Sequence, residues 1–253
     1  MLPEQPYFIF YIESITLSDK NIDPSTLSFL NKLSLNNCYF FTHNCDISRN
    51  TFYNKLASRN IPCTYSNVMT PSYLITNYYK DIYRDFSVYP ISNSDDFQDL
   101  DTLGINIDYI NPTLIFIKTK KIKESSLKSI SKTHCPIVLS SNLCINRSLN
   151  CEKCSTVCII KQIKSKFKER IIIPDMPYTY NSHNLFKQLN IQPKSTVVVT
   201  NLLRDDYIQY QRMGCRLILT LNNGTTFDHY LNSAYDADLV VDNFKNLATF
   251  LNK

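Results

Sequence analysis

The sequence predicts an α/β fold, a parallel-sheet core interrupted by an inserted second α/β domain, and three observations carry that reading. Breaker-free runs of β-branched and aromatic residues at 7–13, 195–200 and 215–220 have the composition of strands buried on both faces. Segments with helical spacing and helix-end signals alternate with such runs, and strand–helix alternation implies parallel pairing through right-handed crossovers. Net charge, finally, is concentrated in the middle of the chain, in two blocks of opposite sign. Residues 86–110 hold five aspartates (95, 96, 99, 101, 108) and no lysine or arginine, whereas 111–172 hold thirteen lysines and arginines against three glutamates, a net +10. The remainder of the chain is neutral, so the charged middle is set apart from its two flanks.

Taken in order, 7–13 is a strand and 24–35 a helix. Leu27, Leu30 and Leu33 sit at helical spacing, with Asp23 as N-cap and Pro24 at the first helical position. Residues 38–42 form a second strand, followed by helices over 48–59 and 71–83. The middle repeats the alternation with strands at 113–117 and 136–140 and helices at 124–131 and 155–167. The last third runs helix 180–189, strand 195–200, helix 205–213, strand 215–220, a short strand from Leu239 and a closing helix over 243–252. Gly214 stands where a helix C′ glycine belongs. These boundaries place the core at 1–85 and 173–253 and the insert at 86–172.

Composition excludes several classes. Hydrophobic residues make up 43% and charged residues 19% of 253, a globular and not a disordered balance. No apolar run approaches 18 residues and the N-terminus lacks a basic leader, so a soluble, cytoplasmic protein with no membrane partner is expected. Nine scattered cysteines, an odd count, do not make a secreted disulfide framework. Glycines at 104, 214 and 224 alone cannot build a dinucleotide-binding or Walker loop, and no His-Glu-x-x-His occurs. The 26 asparagines are read as codon bias and not as a structural signal.

Five short motifs fall in order on the expected elements. The first strand ends Tyr11-Ile-Glu13-Ser14. The second ends Phe41-Thr42-His43-Asn44. Ser141-Asn142 follows a strand of the insert, Asp175-Met176-Pro177 follows the insert, and Val199-Thr200-Asn201 leads to Asp205-Asp206. Order and spacing resemble the haloacid-dehalogenase-like superfamily, in the branch with a large α/β cap between the second and third motifs, and the resemblance covers nearly the whole chain. It implies a Rossmann-like core with residues 86–172 as the cap.

The resemblance also assigns roles, and the residues present do not fill them. The aspartate that attacks phosphorus and ligates Mg²⁺ falls on Tyr11, whose phenol is neutral at pH 7 and cannot serve as a carboxylate nucleophile. The general acid/base falls on Glu13, one methylene longer. Thr42 matches the second motif. The lysine that offsets phosphoryl charge falls on Met176, and a metal-binding aspartate on Asn201; Asp206 is unchanged. The expectation is therefore a degenerate phosphatase site with no enzyme activity and no small-molecule substrate.

Two further features bear on partners and cofactors. Lys118, Lys120, Lys121 and Lys123, with Lys161, Lys164 and Lys168, concentrate the basic charge, and the last three share a helix face. They are read as a nucleic-acid-facing surface. From it comes the expectation of a non-catalytic factor bound to the ribosome or another RNA–protein assembly, with an inhibitory, dormancy-like role as one version. Alternatives are a regulatory subunit that holds a protein partner, or a residual phosphatase using Glu13 and Asp206. Cys144, Cys151, Cys154 and Cys158 fall within fifteen residues. They are either free thiols or ligands of a structural zinc; no other cofactor is expected.

Overall fold

The parallel pairing expected from strand–helix alternation is realised in two separate sheets. The structure, a computed structural model, describes residues 6–15, 22–42, 44, 47–92, 97–118, 124–139, 163, 165–172, 182–201, 203, 205–221 and 225–251. The chain divides into two units. One comprises Met1–His43, Arg49–Thr70 and Ser182–Lys253; the other comprises Asn44–Ser48 and Pro71–Asn181. The helix that begins at Pro71 thus goes with the second unit, whereas a boundary at residue 85 assigns it to the core.

In the first unit, β1 (Tyr7–Tyr11), β2 (Cys38–Phe41) and β3 (Val68–Met69) are joined by α2 (Pro24–Lys32) and α3 (Arg49–Ala57). A four-residue helix, α1 (Ile12–Ile15), starts directly after β1, so the strand is shorter than the 7–13 expected. The turn is held by Ser14 Oγ, which donates to the Tyr11 carbonyl at 2.6 Å. Asp23 caps α2 as expected, accepting from the Ser25 amide at 2.9 Å, with Pro24 in the first turn.

The side chains of β1 alternate as a pleated strand requires. Phe8 and Phe10 stack on one another at 5.2 Å on one face, where Phe10 also meets Phe40 at 5.8 Å and Phe244 at 5.6 Å. Tyr11 contacts Phe41 at 5.7 Å.

In the second unit, β4 (Ser87–Ile91), β5 (Asn106–Ile107), β6 (Leu114–Ile117), β7 (Ile137–Leu139) and β8 (Ile171–Ile172) form a parallel sheet in the order β5-β4-β6-β7-β8. Leu114 and Phe116 pack on one face with Ile75 and Tyr79 of α4 (Pro71–Ile82) and Leu100 of α5 (Gln98–Thr102). Ile115 and Ile117 pack on the other with Leu127 and Ile130 of α6 (Glu124–Lys132) and with Ile163. Each β6 residue is at most 2% exposed, which is why that segment reads as an uninterrupted apolar run.

The first unit closes with α7 (Ser182–Leu189), β9 (Thr196–Thr200), α8 (Asp205–Arg212), β10 (Arg216–Thr220), α9 (Phe227–Leu231), β11 (Leu239–Val241) and α10 (Phe244–Leu251). Its sheet runs β11-β10-β9-β1-β2-β3, parallel throughout.

Four of the described helices end with one device. Asn60, Gly104, Asn190 and Gly214 have φ of 58°, 62°, 53° and 88°. Each donates its amide to the carbonyl three residues back, and the next residue donates to the carbonyl five back, as Ile61 does to Leu56 and Cys215 to Tyr210. That is the Schellman motif. The residue after the left-handed position is apolar and buried in all four: Ile61, Ile105, Ile191 and Cys215. Asn60 and Asn190 therefore do a glycine's work, and dismissing asparagine as codon bias is wrong at these two positions. Asn tolerates left-handed φ because its short polar side chain bonds locally. Asn190→Ala is expected to cost about 1 kcal/mol, whereas Asn190→Gly is expected to keep the wild-type midpoint. Paired urea unfolding curves measure both.

Candidate functional site

Parallel strands open their carboxyl ends at one edge of the sheet, where ligands of α/β folds sit. In the first unit the register brings Tyr11 beside Phe41, Phe41 beside Met69 and Leu219 beside Thr200. The residues at and just beyond that edge are unusually polar for their burial. Ser14, Thr42, Thr70, Thr200, Asn201, Thr220 and Thr225 are each at most 9% exposed, and Glu13 is half-buried.

Tyr11 is 0% exposed. Its hydroxyl lies 3.3 Å from that of Tyr210 on α8, also 0% exposed, and the Tyr210 ring meets Phe186 of α7 edge-on at 6.1 Å. The side chain at the expected nucleophile position is thus part of the packed layer between sheet and helices. Glu13 Oε1 accepts from Thr42 Oγ1 at 2.7 Å, joining two of the expected site residues. Thr220 Oγ1 donates to the Thr200 carbonyl at 3.3 Å and Thr225 Oγ1 to the Asn201 carbonyl at 2.5 Å. Asn201 is 1% exposed, and its Oδ1 has no hydrogen-bond partner among the described residues.

Tyr210 was not legible as a site residue, and Thr220 and Thr225, though the stretch 219–225 matches the end of the resembled pattern, were given no role. Tyr210 joins Tyr11 only through tertiary packing, and a threonine ending a strand is too common to single out. Among the described residues of this unit, no cysteine replaces the missing nucleophile. Burial pushes the Cys38 and Cys215 thiols up to about 12 and that of Cys63 to about 11, so none is a thiolate at neutral pH.

Other expected site residues fare differently. Met176, the Asp206 side chain, Lys120, Lys121, Lys123, Lys161, Lys164, Cys144, Cys151, Cys154 and Cys158 lie outside the described residues. Among the described residues no group of three or more His, Cys, Asp or Glu could hold a metal ion, and no helix is long and apolar enough to cross a membrane.

Lys118 requires a correction. It is 3% exposed and follows directly on β6, so it is not part of a surface that faces nucleic acid. Lys168 is exposed. Nearby Arg170 is turned inward: Nε and Nη2 donate to the Cys135 carbonyl at 3.1 and 2.9 Å, Nη1 to the Ile130 carbonyl at 3.1 Å, and Nη2 also to Thr133 Oγ1 at 3.0 Å. That guanidinium caps the end of α6. Part of the positive charge of the insert is therefore structural.

No family model matches the chain, and no curated protein does. Solved structures do. A 4-nitrophenylphosphatase from Thermotoga maritima superposes with a TM-score of 0.79 at 16% identity over 96% of each chain. A p-nitrophenyl phosphatase from Archaeoglobus fulgidus gives 0.76 at 14% identity, covering 98% of this chain and 100% of that one. NagD from E. coli K-12 gives 0.72 at 15%, covering 95% and 97%. These neighbours overturn the expectation of a factor associated with the ribosome or another RNA–protein assembly: the likeness spans nearly the whole chain, insert included, and leads to phosphatases. With Lys118 buried, the surface argument behind that expectation also loses a member. The chain has the α/β fold of the haloacid-dehalogenase-like phosphatases that carry an inserted cap.

Proposed function

We propose that this protein is a relative of those phosphatases in which the phosphoryl-transfer step has been lost. The observation that carries the reading is Tyr11. At the end of β1, where the resemblance expects the attacking carboxylate, stands a fully buried phenol hydrogen-bonded to a second buried phenol. A phenol ionises near pH 10 in water, and removal from solvent disfavours its anion further. It supplies neither a nucleophile at neutral pH nor a ligand for a hard cation.

The residues do not fit Mg²⁺ either. The ion is ordinarily held through one or two carboxylates; the ends of β1 and β9 present Tyr11 and Asn201 in their place, and of the metal-binding aspartates the resemblance expects only Asp206 remains. Met176 adds no positive charge to offset a phosphoryl group. Glu13 has kept its carboxylate, but its Oε1 is engaged by Thr42.

Incubated with p-nitrophenyl phosphate and Mg²⁺, the protein is expected to release no p-nitrophenolate above the level of a Glu13→Ala variant. Turnover that Glu13→Ala abolishes would overturn the reading. Tyr11→Asp alone is expected to stay inactive, since Met176 and Asn201 remain.

A further inference from the structure

The first sheet ends at β11, the longest of the four edge strands: β3, β5 and β8 span two residues each and β11 spans three. It pairs with β10 along one side. An edge strand directs the backbone groups of its other side outward, ready to pair with another chain. Short strands, lysine and proline are the usual protection against such pairing. Leu239-Val-Val241 contains neither lysine nor proline, and all three residues are partly exposed. Beside this edge lies an apolar patch. Phe227 and Leu231 are 51% and 63% exposed, and one turn of α9 separates them, so they share a face. The helix is tied to the approach to β11. The Ala237 amide donates to the Tyr230 hydroxyl at 3.2 Å, and the Tyr230 ring lies 6.1 Å from that of Phe227.

The charge of this region is opposite to that of the whole chain. Residues 225–251 hold four aspartates (228, 236, 238, 242) against Lys245, a net −3, in a chain of net charge +5. Asp238 pairs with Arg216, and Lys245 with Asp23. Asp228, Asp236 and Asp242 are exposed, and exposed Arg212 at the end of α8 offsets one of them at most.

We propose that β11 takes an extended segment of a partner protein as an added strand, a segment in which basic residues alternate with apolar ones. Main-chain hydrogen bonds along the edge hold it. Its apolar side chains cover Phe227 and Leu231, and its basic ones meet Asp228, Asp236 and Asp242. Exposed apolar surface with a polar rim is the usual mark of such a contact. Charge selects the occupant. A second copy of this chain, brought to the same edge about a two-fold axis, sets the same aspartates against one another. A nucleic acid or an anionic membrane meets like charge.

The test uses the full chain and three fluorescein-labelled hexapeptides, with binding read by anisotropy. One is Lys-Val-Lys-Val-Lys-Val. The second has glutamate in place of lysine. The third is the lysine peptide methylated on its backbone amides, which cannot donate along a sheet edge. The lysine peptide is expected to bind with a Kd below about 100 μM, and the other two about tenfold or more weakly. Phe227→Ser with Leu231→Ser, and separately Asp236→Lys with Asp242→Lys, are each expected to weaken the lysine peptide by about tenfold. The circular dichroism spectrum is expected to stay unchanged, because substitutions at exposed positions alter stability little. Should a double variant fail to fold, Leu231→Ser or Asp236→Lys alone takes its place.

A lysine peptide bound no more tightly than the glutamate or the methylated one, no binding of it up to about 1 mM, or binding indifferent to the variants would each overturn the proposal. So would a homodimer, seen by analytical ultracentrifugation, that either pair of substitutions dissolves, since the occupant of the edge is then a second copy of the chain.

Discussion

Tyr11→Ala lowers the free energy of unfolding by about 3–5 kcal/mol, the range for deleting a large aromatic side chain from a core. That is a large part of the roughly 5–15 kcal/mol that holds a folded domain together. The site meets the conditions for the upper half of the range. Tyr11 is 0% exposed, the strand beneath it is central in the sheet, and its neighbours Phe41 and Tyr210 are at most 1% exposed. They cannot collapse into the space without leaving their own contacts.

Tyr11→Phe keeps the ring and loses the 3.3 Å contact to the Tyr210 hydroxyl, so about 0.5–1.5 kcal/mol is expected. Tyr11→Asp adds a carboxylate to the cavity. Burial raises the pKa of such a group above its unfolded value near 4. The folded state then holds more protons than the unfolded state, and stability falls as pH rises through the interval between the two values. The wild type has no carboxylate at this position and does not show that added slope. Urea unfolding of the wild type and the three variants, with the wild type and the Tyr11→Asp variant also followed at several pH values, measures all of this. A Tyr11→Ala protein within about 1 kcal/mol of wild type would show that the side chain is not the packed element described.

Arg49→Met is the second large effect. Arg49 is 7% exposed on α3. Its Nε donates to the Val68 carbonyl at 2.6 Å and its Nη2 to the Ser66 carbonyl at 3.1 Å, with Cζ 4.5 Å above the Tyr65 ring. The guanidinium thereby fixes the approach to β3, the last strand of the sheet. Hydrogen bonds from a charged donor contribute about 1.5–3 kcal/mol each, and truncation strands the carbonyls it served. Relief of the buried charge offsets part of this, and a net loss of about 3 kcal/mol is expected. Arg49→Lys is expected to recover less than half of it, because an ammonium cannot reproduce the planar fork or the stacking on Tyr65. Thermal unfolding of the two variants is the measurement, and equal midpoints for wild type and Arg49→Lys would count against the fork.

How far the fold was legible follows from particular residues. Phe8-Ile-Phe10 and Val197-Val-Val199 carry their strand assignment in composition alone, and Pro24 after Asp23 carries a helix start. Val68–Met69 and Asn106–Ile107 do not, because two residues show no period and the pairing that makes them strands comes from a neighbour. The end of β1 is hidden for a related reason. Ile12 continues the apolar run, and the turn there shows only in three dimensions, where Ser14 bonds the Tyr11 carbonyl.

Of the candidate site, the identity of each strand-end residue was readable by position and its direction was not. Tyr11 could be named as a substituted nucleophile. That its hydroxyl meets Tyr210 depends on how α8 is laid against the sheet. Lys118 shows the opposite failure, a charge assigned to the surface by composition that tertiary structure buries.

The strand order of the first sheet also governs how the chain can be assembled. β1 pairs with β2 on one side, but its other side is covered by β9, which begins only at Thr196. All strands of the second sheet lie in between, from Ser87 to Ile172, and need nothing from either end of the sequence to pair. During synthesis from the N-terminus, Tyr7-Phe-Ile-Phe-Tyr11 therefore emerges before every strand of the second sheet and gains its second neighbour only after all of them. It waits with an open edge that is aromatic, uncharged and free of proline and glycine, the composition most prone to pair with another chain. The insertion that splits the core thus lengthens the time over which its own central strand must be kept from the wrong neighbour, and makes that interval the vulnerable stage in the life of the protein.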